Sequence, residues 1–276
     1  MYVQPADAPK RKPVTVPGLR AMKARGEKIV VLTCYDASFA AHMEAAGVDV
    51  ALVGDSLGMV VQGNPSTLPV TLDQMVYHAS LVARGVVSTL MIADLPFMQF
   101  RDPETALAAS ARLMKEGGAA MVKLEGGSGW VCEVIAALAA HEVPVCAHLG
   151  LTPQSVHKMG GYRMQGKTGD AAARLRDQAR AVAEAGAELL VLESMPAALA
   201  GEITRDVPIA TIGIGAGAEC DGQVLVCYDM LGITPGHRPK FSKDFLAGRG
   251  SVRDAIAAYA EDVRAARFPG PEQIAG

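Results

Sequence analysis

Eight short apolar runs, each followed by a spacer, constrain this chain more than any other feature. They are KIVVLTCYD (28 to 36), VDVALVGD (48 to 55), TLMIADL (89 to 95), AAMVKLEG (119 to 126), VPVCAHLG (143 to 150), ELLVLES (188 to 194), VPIATIGIG (207 to 215) and QVLVCYD (223 to 229). The runs are nearly continuous in apolar residues, with little polar alternation, as expected of strands buried on both faces in a parallel sheet. Helices fit the spacers at 36–46, 71–85, 103–116, 129–141, 170–185 and 196–205. Asp102-Pro103-Glu104 sets a cap, an N1 proline and an acidic first turn in the right order. Eight strands alternating with helices predict an α/β chain folded as a (β/α)₈ TIM barrel. A doubly wound open sheet is the rival, but the turn after the first run, CYDASFA, lacks the glycine-rich fingerprint of a dinucleotide site.

The 276 residues suit one barrel, which typically needs about 250. The expected organisation is a single barrel domain over 1–276, with an extended N-terminal arm at about 1–14 and a C-terminal helix at about 251–267 packing outside the ring. A further helix fits Thr15 to Gly26, before the first strand. Prolines at positions 5, 9, 13 and 17 make the arm extended, and its Lys10-Arg11-Lys12 run reads as a solvated face. Two connections are long: Ser56 to Pro69 after the second run, and 149–169 after the fifth, which is expected to act as a lid.

A net charge of −3 gives no broad cationic field, so nucleic acid is not expected as a partner. Polar residues, Pro or Gly interrupt every apolar run short of a bilayer span, so no membrane partner is expected, and the N-terminus has no secretory signal pattern. Five cysteines, an odd number with no Cys-x-x-Cys pair, argue against a disulfide framework or a zinc cage and fit the reducing cytoplasm.

In a parallel barrel the C-terminal ends of the strands face the active-site mouth. Asp55, Asp94, Lys123 with Glu125, His148 and Glu193 close the second to sixth runs in that order. Lys123 and Glu125 are two residues apart, so both point to one side of their strand, the lumen. Any one of these carboxylates alone reads as a helix cap. Five consecutive strands ending in ionisable groups is a different matter, because unpaired buried charges cost several kcal/mol each. Carboxylates without thiols suit a hard cation such as Mg²⁺. The Gly213-x-Gly215-x-Gly217 run is either an anion cradle or a set of tight turns. His42, His78, His141, His157 and His237 read as surface or packing histidines, His157 unless the lid carries it inward.

Several longer segments carry a resemblance: VGDSLGMVVQG (53 to 63), STLPVTLDQMVYH (66 to 78), ADLPFM (93 to 98), MVKLEGG (121 to 127), HLGLTPQSV (148 to 156), GGYRMQG (160 to 166), VLESMP (191 to 196) and IGIGAGAECDGQVLVCYDMLG (212 to 232). In this order they resemble the ketopantoate hydroxymethyltransferase family from about Val14 to about Arg267. The resemblance implies a barrel of the phosphoenolpyruvate-enolising superfamily. It implies transfer of a hydroxymethyl group from 5,10-methylenetetrahydrofolate to 3-methyl-2-oxobutanoate, giving 2-dehydropantoate for pantothenate and coenzyme A synthesis. It also implies a homo-oligomer, typically a decamer.

By the same resemblance Asp55 and Asp94 are Mg²⁺ ligands that also border the substrate, and Glu125 is a third metal-site carboxylate acting through water. Ser56 and Lys123 contact the oxoacid and Glu193 accepts the proton; in the mechanism expected from this, His148 orients substrate or relays a proton. Ala147 and Ser194 depart from the family pattern without removing an ionisable group. Two alternatives stay open: a metal-dependent 2-oxoacid lyase or aldolase of the same superfamily, and a non-catalytic barrel that binds an anion at the glycine run.

Overall fold

The computed structural model describes residues 11–236 and 238–274. The elements run α1 (Val16–Arg25), β1 (Ile29–Thr33), α2 (Ala37–Ala45), β2 (Val50–Val53), α3 (Leu57–Val60), α4 (Leu72–Ala83), β3 (Leu90–Asp94), α5 (Pro103–Lys115), β4 (Met121–Glu125) and α6 (Gly129–Ala140). They continue with β5 (Val145–Gly150), a 3₁₀ turn at Pro153–Ser155, α7 (Val156–Met159), α8 (Gly169–Glu184), β6 (Leu189–Glu193), α9 (Ala197–Asp206), β7 (Ala210–Ile214), β8 (Gly222–Leu225), α10 (Cys227–Met230), α11 (Val252–Arg264) and a second 3₁₀ turn at Pro271–Gln273. The strands pair in parallel in chain order and β8 closes on β1.

Continuous apolar runs are explained by two cores that share each strand. Val31, Leu52, Ile92, Met121, Cys146 and Val191 fill the lumen. Their chain neighbours Val30, Leu32, Ala51, Val53, Val122 and Leu124 pack outward against the helices. Helix α1 closes the lower end, where Leu19 joins the lumen cluster with no exposed surface. Helix starts follow side-chain caps: Asp36 accepts from Ser38 and Phe39, Asp102 from Thr105, and Thr71 forms a capping box with Gln74.

The C-terminal helix packs against the outside of the ring: Tyr259 of α11 donates its hydroxyl to the carbonyls of Val31 and Gln223, 2.9 and 3.0 Å away, so α11 covers the seam between β1 and β8. Two expectations change. The eighth strand is shorter than its apolar run. The chain leaves the sheet after Leu225, Cys227 donates its backbone N–H to Thr33 Oγ1 at 2.9 Å, and Cys-Tyr-Asp begins α10 instead.

Arg11 is not part of a solvated face. Its guanidinium donates to the carbonyls of Gly47 and Val48, to Asp49 at 3.0 Å and to Thr89 Oγ1, stitching the segments that enter β2 and β3. The remainder of the arm at residues 1–10, including Lys10, lies outside the described residues, as does His237.

Candidate active site

The strand register that fills the lumen also builds the site. Two residues beyond Ile92, Met121, Cys146 and Val191, on the same side of each strand, stand Asp94, Lys123, His148 and Glu193, and Glu125 follows Lys123 by two more. His148 is not the end of its strand, since β5 continues to Gly150. Asp55 lies past β2, in the turn before α3, and is brought inward by its backbone N–H, which donates to Asp94 Oδ2 at 3.0 Å. Asp55, Asp94, Lys123, Glu125 and His148 are all buried, and the Glu193 side chain is 14 % exposed.

These groups form one connected arc. Lys123 Nζ donates to Asp94 Oδ1 at 2.7 Å. His148 lies between two carboxylates, with Nδ1 3.5 Å from Glu125 Oε1 and Nε2 3.2 Å from Glu193 Oε2. Both contacts are ion pairs rather than aligned hydrogen bonds. Burial opposes a charged imidazole, but Glu125 and Glu193 outweigh it and raise His148 to about 9. Burial also opposes a charged Lys123, and Asp94, Glu125 and Asp55 together raise its pKa above the ordinary lysine value. Asp55 is pushed well above the usual carboxylate range, first by burial and then by the charges of Asp94 and Glu125.

Four carboxylates against a lysine and a protonated histidine leave an excess of negative charge in a buried site, which adds to burial in raising Asp55. A divalent cation would relieve it. The nearby donors are hard oxygens, and among the described residues no three His, Cys, Asp or Glu side chains converge as a complete cage. That fits Mg²⁺, which takes one or two carboxylates and fills its remaining positions with water and substrate oxygens. Asp55 and Asp94 could hold it.

Two contributors escaped the sequence reading. Gln154, in the turn after β5, donates its side-chain Nε2 to Asp55 Oδ2 at 2.9 Å and to the Leu95 carbonyl at 3.0 Å, while its backbone N–H donates to Glu125 Oε2 at 2.9 Å. Its Oε1 is buried with no donor among the described residues. Its only sequence signal was a polar residue soon after a strand, in a long loop. Tyr35 is the other: its hydroxyl lies 2.8 Å from Ser56 Oγ and fixes that side chain.

The arc lines a cavity of about 530 Å³, with Tyr162 and Met164 of the 149–169 connection on its wall. His157 of the same connection is exposed and does not enter. The glycine run is explained by packing. A Cβ on Gly213 would meet Cys220 at 3.0 Å; on Gly215, whose φ is +61°, it would meet Phe241 at 2.8 Å; and on Gly217 it would meet Ala197 at 2.5 Å. These are close approaches of side chains, not an open cradle of amides.

Residues 13–271 match the ketopantoate hydroxymethyltransferase family. The chain is 55% identical over 271 residues to 3-methyl-2-oxobutanoate hydroxymethyltransferase of Burkholderia thailandensis, covering 98% of each protein. It is also 55% identical to the enzyme of that name from Ralstonia pickettii, over 95% of this chain and 96% of the relative. Among solved structures it is similar in fold to phosphonopyruvate hydrolase in complex with oxalate and Mg²⁺, with a TM-score of 0.59, 15% identity and coverage of 92% and 98%. A second similar fold is 2,3-dimethylmalate lyase of the PEP mutase/isocitrate lyase superfamily, with a TM-score of 0.57, 16% identity and coverage of 96% and 91%.

Proposed function

The chain belongs to the ketopantoate hydroxymethyltransferase family, and from that premise we propose how its strand-end residues carry out the transfer of a hydroxymethyl group to 3-methyl-2-oxobutanoate. The observation that carries the reading is the continuous arc from Asp55 to Glu193 at one mouth of the barrel. The difficult step is removal of the proton at C3, next to the keto group. Asp55 and Asp94 would hold Mg²⁺, with Glu125 as a further carboxylate beside the site. When bound, the metal supplies Lewis acidity that stabilises negative charge on the keto oxygen.

Lys123, held protonated by its carboxylate neighbours, contributes a fixed positive charge for the oxoacid while it anchors Asp94. It therefore offers no neutral amine for a Schiff base. Ser56, oriented by Tyr35, donates to the oxoacid. Glu193 takes the C3 proton: His148 occupies its Oε2, which leaves Oε1 for the substrate. Water hydrolyses the methylene bridge of 5,10-methylenetetrahydrofolate, breaking both C–N bonds to give tetrahydrofolate and formaldehyde; the C3 carbanion adds to the formaldehyde carbon, and the resulting alkoxide takes up a proton to become the hydroxymethyl group.

The test is deuterium exchange at C3 of 3-methyl-2-oxobutanoate with folate absent, which isolates proton removal. Exchange is expected with Mg²⁺ and lost on chelation. Full exchange by metal-free protein, or none under either condition, overturns the mechanism.

The same reading extends to assembly and compartment. Exposed Phe97, Met98 and Trp130 supply apolar surface for a homo-oligomer, read here as a decamer, and sedimentation as a monomer would contradict it. The five cysteines are free and four are buried, in keeping with the cytoplasm. Among the described residues no helix is long and apolar enough to cross a membrane.

A further inference from the structure

The cavity has two unlike sides. Strands β2 to β6 carry the charged arc, whereas β7 and the segments that follow β7 and β8 present Ile214, Val226 and Phe241. On this apolar side one carboxylate lines the cavity. It is Asp229 of α10, only 6 % exposed. Its Oδ1 accepts a 2.6 Å hydrogen bond from Thr234 Oγ1, and among the described residues no other hydrogen bond or ion pair to the carboxylate is found. Arg238, the cation whose charge it feels, is engaged with Asp244 at 3.4 Å. Burial accordingly holds Asp229 above the ordinary carboxylate range. A carboxylate has about four acceptor sites, and the described residues engage only one of those on Asp229.

In the closed ring β8 stands opposite β4, so Asp229 lies across the lumen from Lys123 and Glu125 and takes no part in the arc. Cavities of about 300–1,000 Å³ hold drug-sized ligands, and a five-carbon oxoacid seated on the arc leaves much of this one free. The co-substrate has to deliver its methylene carbon to C3 from the remaining side. A pterin is a flat ring with apolar faces and one edge on which two N–H donors, N3–H and the 2-amino group, lie side by side. That edge is the complement of a carboxylate, and Ile214, Val226 and Phe241 are the apolar surface its faces require.

We propose that Asp229 recognises the reduced folate, accepting hydrogen bonds from N3–H and the 2-amino group of its pterin ring. Thr234 holds the carboxylate in place, and exposed Lys240, which lines the mouth, meets the negatively charged glutamate tail. The inference rests on 5,10-methylenetetrahydrofolate being the one-carbon donor.

The test is a ligand and residue cycle. Binding of tetrahydrofolate and of its 2-desamino analogue is titrated calorimetrically to wild type and to Asp229→Asn, each saturated with 3-methyl-2-oxobutanoate and Mg²⁺. Wild type is expected to prefer tetrahydrofolate by about 10- to 100-fold, the range for a charge-assisted hydrogen bond, and Asp229→Asn to lose most of that preference. The preference is a ratio within one protein, so a smaller folded fraction does not imitate its loss. An undiminished preference in Asp229→Asn overturns the assignment and leaves the folate reading standing. A wild type that binds both ligands equally also overturns it, even where the variant does not fold. A wild type that binds neither removes the folate reading, and the assignment with it.

Discussion

The two ends of the barrel lumen are built on the same strands and do opposite things. At the lower end Leu19, Ile29, Leu90, Met121 and Leu189 form a dry apolar plug. Two to four residues further along β3, β4 and β6, about 7–13 Å, the same inward face carries Asp94, Lys123, Glu125 and Glu193. The lower layer gains free energy by leaving water. The upper layer loses it, since each buried ion costs several kcal/mol that its partners only partly return. Stability and chemistry are thus separated along the barrel axis, and the plug supports a site that could not hold itself together.

That separation can be broken from either end. At the upper end, Glu193→Gln keeps the shape and removes the proton acceptor. C3 deuterium exchange should fall by about 10²–10⁴-fold, with the unfolding midpoint little changed. Exchange at the wild-type rate would move the base elsewhere, and His148 would be the next candidate. At the lower end, Leu19→Ala should cost about 2–5 kcal/mol in denaturant unfolding, because it opens a cavity in a fully buried layer. Protein that remains folded should still exchange C3 at the wild-type rate. A loss of exchange there would show that the two ends are coupled.

The difference also explains what the sequence revealed. Strand number, parallel pairing and the inward side of β3 to β6 were legible because a two-residue period projects a lumen-facing apolar residue onto a lumen-facing ionisable one. Asp94, Lys123, Glu125 and Glu193 all follow that rule. Asp55 and Gln154 do not, since they sit in turns where no periodicity fixes direction. Asp55 was found by its charge and its place after a run, whereas Gln154, neutral and inside a long loop, offered neither signal. Arg11 was misread because a basic run among prolines looks solvated until the carbonyls of Gly47 and Val48 are brought to it from far along the chain. The run at 223 to 229 reads as one strand because nothing local marks Leu225 as its last residue.

Gln154→Leu sharpens the comparison within the upper end. It deletes the donor to Asp55 Oδ2 but leaves the backbone N–H that supports Glu125. Groups that orient metal-site carboxylates typically contribute about 10–100-fold in metal affinity or activity. The apparent affinity for Mg²⁺, read from exchange rate against metal concentration, should weaken within that range, and the rate at saturating metal should fall less. An unchanged metal dependence would reduce Gln154 to a packing residue.

The smallest effect belongs to the lower rim, where Glu44 near the end of α2 accepts backbone N–H bonds from Val87, Ser88 and Thr89 at 2.9–3.2 Å and ties α2 to the segment entering β3. Burial works to raise its pKa, but these donors outweigh it and hold the carboxyl below its ordinary value of 4.5. A folded-state pKa below the unfolded one means that the carboxylate's stabilisation is complete above the unfolded value and disappears as pH falls through the folded one. Glu44→Gln keeps one carbonyl acceptor and loses the charge. A charged hydrogen bond is worth about 1.5–3 kcal/mol when well buried, so at this half-exposed position the loss near neutral pH should be about 1 kcal/mol. Denaturant midpoints of wild type and variant should therefore differ at pH 7 and converge on acidification below pH 4.5. A difference that persists or widens in acid would show that Glu44 ties α2 to the lower rim through its shape and not its charge.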